Sequence, residues 1–254
     1  MLLTPTTTLW VWRPADPDRL LSVARTYRVG RLLIWVSPGF SSDRAEMIRL
    51  TSLRDAAVAR GIRMDALSGD DSWVEKPEVA AGWAAEVRRS GLFDRLHVDV
   101  EPHGRADWGT VGPALRAGML DMLAEVVAVG LPVDLDIPFW YDRFNTSTGD
   151  RFDRALMRLA AGVTVMAYRN NAAAVLDIAT TALTAADGIG IPAWIGINTG
   201  ETGGEPPSTS YKGSTGTHIR SEIALLDSGG TRWSSYAGVA VHHFASLPEA
   251  TSAD

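Results

Sequence analysis

Residues 93–103 read FDRLHVDVEPH. Successive side chains of an extended strand point to opposite faces, so Leu96, Val98 and Val100 share one face and His97, Asp99 and Glu101 the other. The apolar face calls for a covering of helices. The polar face then lies in an interior where two carboxylates and an imidazole are stacked toward the strand's C-terminal end. A closed barrel of parallel strands meets both demands, with helices outside and a mouth at the C-terminal end of every strand.

Runs of the same β-rich kind recur along the chain: TLWVW (8–12), RLLIWV (31–36), IRMDAL (62–67), RLHVDV (95–100), PVDLDI (132–137), VTVMAY (163–168), PAWIGI (192–197) and GVAVHH (238–243). Between them the periodicity predicts helices near 17–28, 43–60, 77–89, 111–129, 150–161, 171–186 and 217–228, several opened by Asp, Ser or Thr. Gly30, Gly61, Gly130, Gly162 and Gly190 each stand just ahead of a strand. Eight strands, seven helices and no room for a full helix after the last strand predict an α/β fold, a single (β/α)8 TIM barrel over residues 1–254 with a truncated last helix. The alternative is a doubly wound open sheet. No Gly-x-Gly-x-x-Gly or Walker-type run occurs at the first strand-to-helix turn, so the nucleotide-binding motive for that fold is missing.

The chain has 254 residues, 24 Lys and Arg against 30 Asp and Glu, a net charge of -6 and 46% hydrophobic residues, the balance of a folded globular protein. No block of basic residues is present, which argues against a nucleic-acid partner. The lack of Cys excludes disulfides, thiolate catalysis and Cys-ligated metal sites. The opening MLLTPTTTLWVWRP lacks the basic and apolar regions of a secretory signal, and no run of about 18 apolar residues occurs. The chain as given therefore reads as cytoplasmic, or as secreted if a signal was removed, with no membrane partner.

Carboxylates buried without a partner or a task are costly, which makes His97, Asp99 and Glu101 candidate site residues. The plainer reading is an interior polar cluster satisfied by its own hydrogen bonds. Two carboxylates on one face of one strand couple, so an ionised Asp99 raises the proton affinity of Glu101 and keeps it available as a general acid. The segment Thr199–Gly216 (TGETGGEPPSTSYKGSTG) is rich in Gly, Pro, Ser and Thr and follows the seventh strand. In a barrel it stands on the C-terminal face, as a substrate-binding loop or as an idle one.

The residues Asp94, Asp99 and Glu101 match the fourth-strand signature DGxDxDxE of glycoside hydrolase family 18, the chitinase-like barrels, which this segment resembles. Arg95 stands in place of the Gly and His97 in place of the middle Asp. Met166-Ala167-Tyr168-Arg169 is similar to the family's Met-x-Tyr-Asp, with Arg169 in place of Asp, and Ser68-Gly69 is similar to its Ser-x-Gly-Gly. His242-His243 stand on the last strand, where the family usually carries an inward Trp. The resemblance implies a glycosidase acting on an oligo- or polysaccharide without a cofactor. In it Glu101 is the acid/base, Asp99 orients the substrate's acetamido group, and Tyr168 hydrogen-bonds that group as it attacks the anomeric carbon. Arg169 is expected to pair with Glu101 or to bind an acidic sugar.

Glu101-Pro102 also resembles the Asn-Glu-Pro strand ending of the large retaining-glycosidase clan, with Val100 in place of Asn. In that reading Glu201, beyond the seventh strand, is a candidate nucleophile, and Asp136, which shares a face with Asp134, is a further catalytic partner. His97, His242 and Asn198 shape the sugar site. Of nine Trp, those at strand ends, Trp12, Trp35, Trp73, Trp108, Trp140 and Trp194, are candidate stacking platforms, with Trp140-Tyr141 as a subsite wall. Trp83 and Trp233 read as packing residues. Two other classes stay open. His97, His242 and His243 with Asp99, Asp136 and Glu101 have the ligand types of a metal-dependent barrel hydrolase, although no His-x-His stands on the first strand. A barrel of this kind also serves as a non-catalytic saccharide-binding module.

Overall fold

The computed structural model describes residues 7–248. Residues 1–6, on which part of the signal reading falls, and 249–254, the end of the predicted domain, lie outside the described residues. Eight parallel strands close into a barrel in sequence order: β1 (Thr7–Val11), β2 (Val29–Trp35), β3 (Arg63–Ser68), β4 (Leu96–Val98), β5 (Val133–Pro138), β6 (Gly162–Met166), β7 (Ala193–Asn198) and β8 (Tyr236–His242). Seven helices alternate with them: α1 (Pro17–Thr26), α2 (Arg44–Val58), α3 (Pro77–Ser90), α4 (Trp108–Ala128), α5 (Phe152–Leu159), α6 (Ala172–Ile189) and α7 (Gly216–Gly230). Among the described residues β8 is followed only by a 3-10 turn, Phe244–Ser246. The fold is the predicted (β/α)8 barrel, and the open sheet is excluded because β1 pairs with β8.

Local chemistry sets the helix starts. Asp16, Asp43, Asn171 and Thr215 each accept a hydrogen bond from a first-turn N–H, and Pro17 and Pro77 stand where a helix has no N–H to lose. Helix α6 is long and apolar enough to cross a membrane by composition. Its apolar side, including Val175, Ala179 and Leu183, is buried, and it packs on β6 and β7, which accounts for its hydropathy.

The barrel interior carries its charges at two heights. At the N-terminal end Arg31, wholly buried, is paired through Nε with Asp65 and through Nη2 with Asp134 at 2.5 Å. Arg95 closes on Asp134 from the other side at 2.5 Å, and the Arg31 guanidinium lies 4.7 Å from the centre of the Trp194 ring. A side chain at Gly162 would meet Asp134 at 2.6 Å and Trp194 at 3.1 Å, so glycine makes the room for this layer. Two cations and two anions cancel here. Burial works against ionised Asp134, but Arg31 and Arg95 outweigh it and hold the carboxyl below its ordinary range. Above lies an apolar plug of Trp10, Leu33, Leu67, Ala237 and Ala240.

Strand β4 is shorter than its sequence run. The ladder ends at Val98, although the Asp99 N–H still donates to the Ser68 carbonyl at 3.0 Å. Beside it the β3 exit passes very close: a Cβ on Gly69 would lie 1.7 Å from the Asp99 carbonyl oxygen. Only glycine permits that approach. It fixes where Asp99 and Glu101 leave the barrel.

Candidate active site

At the β4 exit Asp99 and Glu101 leave the strand toward the mouth, and their carboxyls are close enough to influence each other's ionisation. Pro102 opens the 3-10 turn Pro102–Gly104, which ends the extended backbone just after Glu101. The Glu101 N–H donates to the Asp71 carboxylate at 3.1 Å, tying the β4 exit to the 3-10 turn Asp71–Val74 after β3. The Glu101 side chain remains 42% exposed, whereas Asp99 Oδ1 is sealed from solvent and has no partner. One carboxyl is anchored and the other can be reached.

Burial raises the pKa of both. For Asp99 the neighbouring Asp136 and Glu101 carboxyls add to the effect and hold it well above the usual carboxylate range. For Glu101 the Asp71 charge adds to burial, while the neighbouring Asp99 carboxyl favours the ionised form. The sequence reading is corrected on this point. An ionised Asp99 was expected to hold the proton on Glu101, but burial and the Asp71 charge are what raise Glu101, and Asp99 acts in the other direction. The nearby imidazoles supply no compensating charge. Burial lowers His97 and His242 to about 3 and His103 to about 4, so all three are neutral at pH 7.

The pair opens into a cavity of about 660 Å³ whose wall includes Trp12, His103, Phe139, Trp140, Tyr168, Arg169, Asn198 and His242. Glu201, Thr202, Gly203, Glu205 and Thr209 reach it from the segment after β7, so that loop belongs to the site. Its base is stapled: Asn198 Nδ2 donates to the Glu201 carbonyl at 3.0 Å, the Gly200 N–H to Asn198 Oδ1 at 2.9 Å, and Ser210 Oγ to the Gly200 carbonyl at 2.6 Å. Tyr168 stands two residues past β6, its ring 6.1 Å from that of His242, and burial followed by the Asp99 charge raises its hydroxyl pKa well above the ordinary value. The rings of Trp12 and His242 are 6.3 Å apart.

Of the sequence-predicted site residues, the cavity therefore gathers Asp99, Glu101, Tyr168, Trp12, Trp140, Arg169, Asn198, Glu201 and His242. It does not gather five others. His97 is 0% exposed and its Nε2 lies 2.8 Å from Asp136 Oδ1, so it sits beneath the floor and does not face a sugar. Asp136, expected as a catalytic partner, is sealed in the same place and also accepts from Trp10 Nε1 at 3.2 Å. Trp194 packs deep in the interior over Arg31. Tyr141 is wholly buried, its hydroxyl 2.9 Å from His103 Nδ1, which leaves Trp140 alone as the wall. Trp35 ends β2 with 36% exposure, outside this cavity.

Of the remaining tryptophans, Trp73 is buried against Trp83, and Trp108 stacks on Tyr141 at 6.4 Å, so neither is a platform. Trp83 and Trp233 are packing residues as expected. Glu201 is 80% exposed and ion-paired with Lys212 at 2.6 Å, held by a loop and not by a strand end. Arg169 does not pair with Glu101; it donates from Nη1 to the Tyr168 carbonyl at 2.7 Å and lies over Phe139. Among the described residues no group of three or more His, Asp or Glu is arranged to hold a metal ion. Of the residues considered for one, His97 is committed to Asp136 at 2.8 Å.

Sequence reasoning missed Asp71 and His103. His103 Nε2 lies 3.7 Å from Glu101 Oε2, and its ring is 5.0 Å from that of Trp140. Both residues stand in short 3-10 turns beyond strand ends, where alternation no longer says which way a side chain points. Pro102 was the one available signal of the turn that carries His103 inward.

No protein-family model matches the sequence, and no curated protein matches it. Solved structures share the fold. A chitinase from Chromobacterium violaceum ATCC 12472 is 11% identical with a TM-score of 0.57, over 97% of this chain and 96% of that one. The C-terminal domain of a putative chitinase from Desulfitobacterium hafniense DCB-2 is 15% identical with a TM-score of 0.58, over 98% and 96%. An exo-beta-1,4-mannosidase from Opitutaceae bacterium strain TAV5 is 12% identical with a TM-score of 0.61, over 94% of this chain and 52% of that one. At such identities the likeness is one of fold.

Proposed function

We propose that the protein is a glycoside hydrolase in which Glu101 donates the proton that releases the leaving sugar. The observation that carries this reading is the Asp99–Glu101 carboxyl pair at the barrel mouth, both raised in pKa, with Glu101 exposed to an aromatic-walled cavity. A carboxylic acid whose pKa is raised holds its proton to higher pH and can protonate a glycosidic oxygen as the C–O bond breaks. Trp12, Phe139 and Trp140 offer apolar surface to sugar-ring faces, while Asn198 and Tyr168 offer polar contacts. The barrels of similar fold that carry glycosidase names support the same class.

Once the leaving oxygen takes the proton, the positive charge developing at the anomeric carbon needs a nucleophile or base. Asp136 is sealed below the floor, and Glu201 is an exposed loop residue paired with Lys212. This favours the substrate-assisted route of the chitinase-like family, in which the 2-acetamido oxygen attacks while Asp99 and Tyr168 hold the acetamido group. The test is release of reducing ends from a broad panel of oligosaccharides, including N-acetylglucosamine oligomers and acidic glycans, by wild type and Glu101→Gln in parallel. Release that the variant abolishes is the expected result. No release from any member moves the reading to a saccharide-binding module.

A further inference from the structure

We propose that the glycan this site takes carries carboxylate groups, and that Arg169 is the specificity-determining contact for them; the inference rests on the glycosidase reading above. Among the described residues that line the cavity, Arg169 is the one arginine or lysine. Its guanidinium forms no ion pair among the described residues. Its one hydrogen bond runs from Nη1 to the Tyr168 carbonyl at 2.7 Å, and its face is 5.4 Å from the centre of the Phe139 ring. The ring and the carbonyl hold the plane in place while the Nε–Nη2 edge stays unspent. That edge presents two parallel N–H donors, the fork that matches the two oxygens of a carboxylate.

The protein's own acids do not claim it. Neither Asp99 nor Glu101 forms an ion pair with it, Glu201 is paired with Lys212 at 2.6 Å, and Glu205, which also lines the cavity, is not paired with it. A half-buried guanidinium without a counter-charge is a standing electrostatic cost that an anionic ligand removes. A second observation extends the argument along the cleft. An adjoining hollow of about 570 Å³ shares Trp12 and His242 with the main cavity, and it contains Arg13, which is exposed beside His243 and forms no ion pair among the described residues. A chain running past Trp12 from one hollow to the next meets a second guanidinium. A glycan with carboxylates on more than one sugar can engage both guanidinium groups.

The test compares acidic oligosaccharides with their methyl esters at matched length, measuring kcat/KM for wild type, Arg169→Ala, Arg169→Lys and Arg13→Ala, and binding to Glu101→Gln by calorimetry. Uronic-acid oligomers and amino-sugar oligomers with a carboxyalkyl ether form separate arms, which identify the source of the carboxylate. Wild type is expected to prefer the free acid, and raised salt to weaken that preference. Arg169→Ala is expected to lose roughly 10- to 100-fold on the acid and little on the ester, with Lys restoring part. Arg13→Ala is expected to affect only the longer acids. Equal losses on acid and ester, a wild-type preference for the ester, or no binding of any acid overturns the proposal. Acid binding through Arg169 without cleavage sustains it while removing the hydrolase reading. Cleavage of neutral glycans alone does the reverse.

Discussion

At the N-terminal end of the barrel Arg31 and Arg95 meet Asp65 and Asp134, two charges of each sign, whereas toward the mouth Asp136, Asp99, Glu101 and Asp71 gather with no arginine or lysine paired to them among the described residues. Both groups draw on β5, where Asp134 and Asp136 stand one step of alternation apart, and on the residues flanking β4, Arg95 before it and Asp99 and Glu101 after it. In the lower group each carboxylate has a guanidinium, and Asp134 is driven toward its charged form. In the upper group burial and like charge drive the acids toward their protonated forms, and three histidines are held neutral. Compensated charge of the first kind holds the barrel together. Uncompensated charge of the second kind stores protons where a substrate can reach them, at a cost in stability.

The contrast breaks most sharply if function and stability fail to separate between the layers. Glu101→Gln is expected to lower kcat/KM by about 10²- to 10⁴-fold with little change in the urea midpoint. Arg31→Met is expected to remove about 3–5 kcal/mol of stability, measured by denaturant unfolding, because it strands the buried Asp65 carboxylate and leaves Asp134 to Arg95 alone. Asp99→Asn goes the other way, with roughly 1 kcal/mol gained at pH 7 and activity lost.

The pH dependence of that gain carries the sign. A carboxyl whose folded pKa is raised keeps its proton in the native state over a range where the unfolded chain has lost it, so stability falls as pH climbs from about 4 through the raised value. The Asp99→Asn gain should therefore vanish near pH 3 and be full only above the raised pKa. Asp134→Asn should show the opposite: a loss at neutral pH that shrinks as pH falls through the depressed pKa. Smallest is the effect of Asp71→Asn, which keeps an acceptor for the Glu101 N–H but removes the charge that raises Glu101. The alkaline limb of its kcat/KM profile should move to lower pH by under ~1 unit.

The barrel was legible because its signals are periodic. β-rich runs marked all eight strands, and Asp and Thr marked helix starts at Asp16, Asp43 and Thr215. The β4 pattern also identified which side of His97, Asp99 and Glu101 faces inward. Alternation does not state height. In a closed barrel the strands are staggered, so an inward residue stands in the lower layer, the plug or the mouth according to register. Trp194 and Trp12 both read as inward tryptophans, yet one stacks on Arg31 and the other lines the cavity. His97 and Asp136 fell below the floor for the same reason. Asp71, His103 and the true environment of Tyr141 lay in 3-10 turns with no period to read.

The most direct test of the central claim, that Glu101 is the proton donor, compares leaving groups. An alkyl or sugar leaving group needs the proton, whereas a dinitrophenolate departs without it. The account expects Glu101→Gln to lose about 10³-fold in kcat/KM on a sugar leaving group and under ~10-fold on the matching dinitrophenyl glycoside. Equal losses on both would contradict it and leave the pair at the barrel mouth without the role assigned to it.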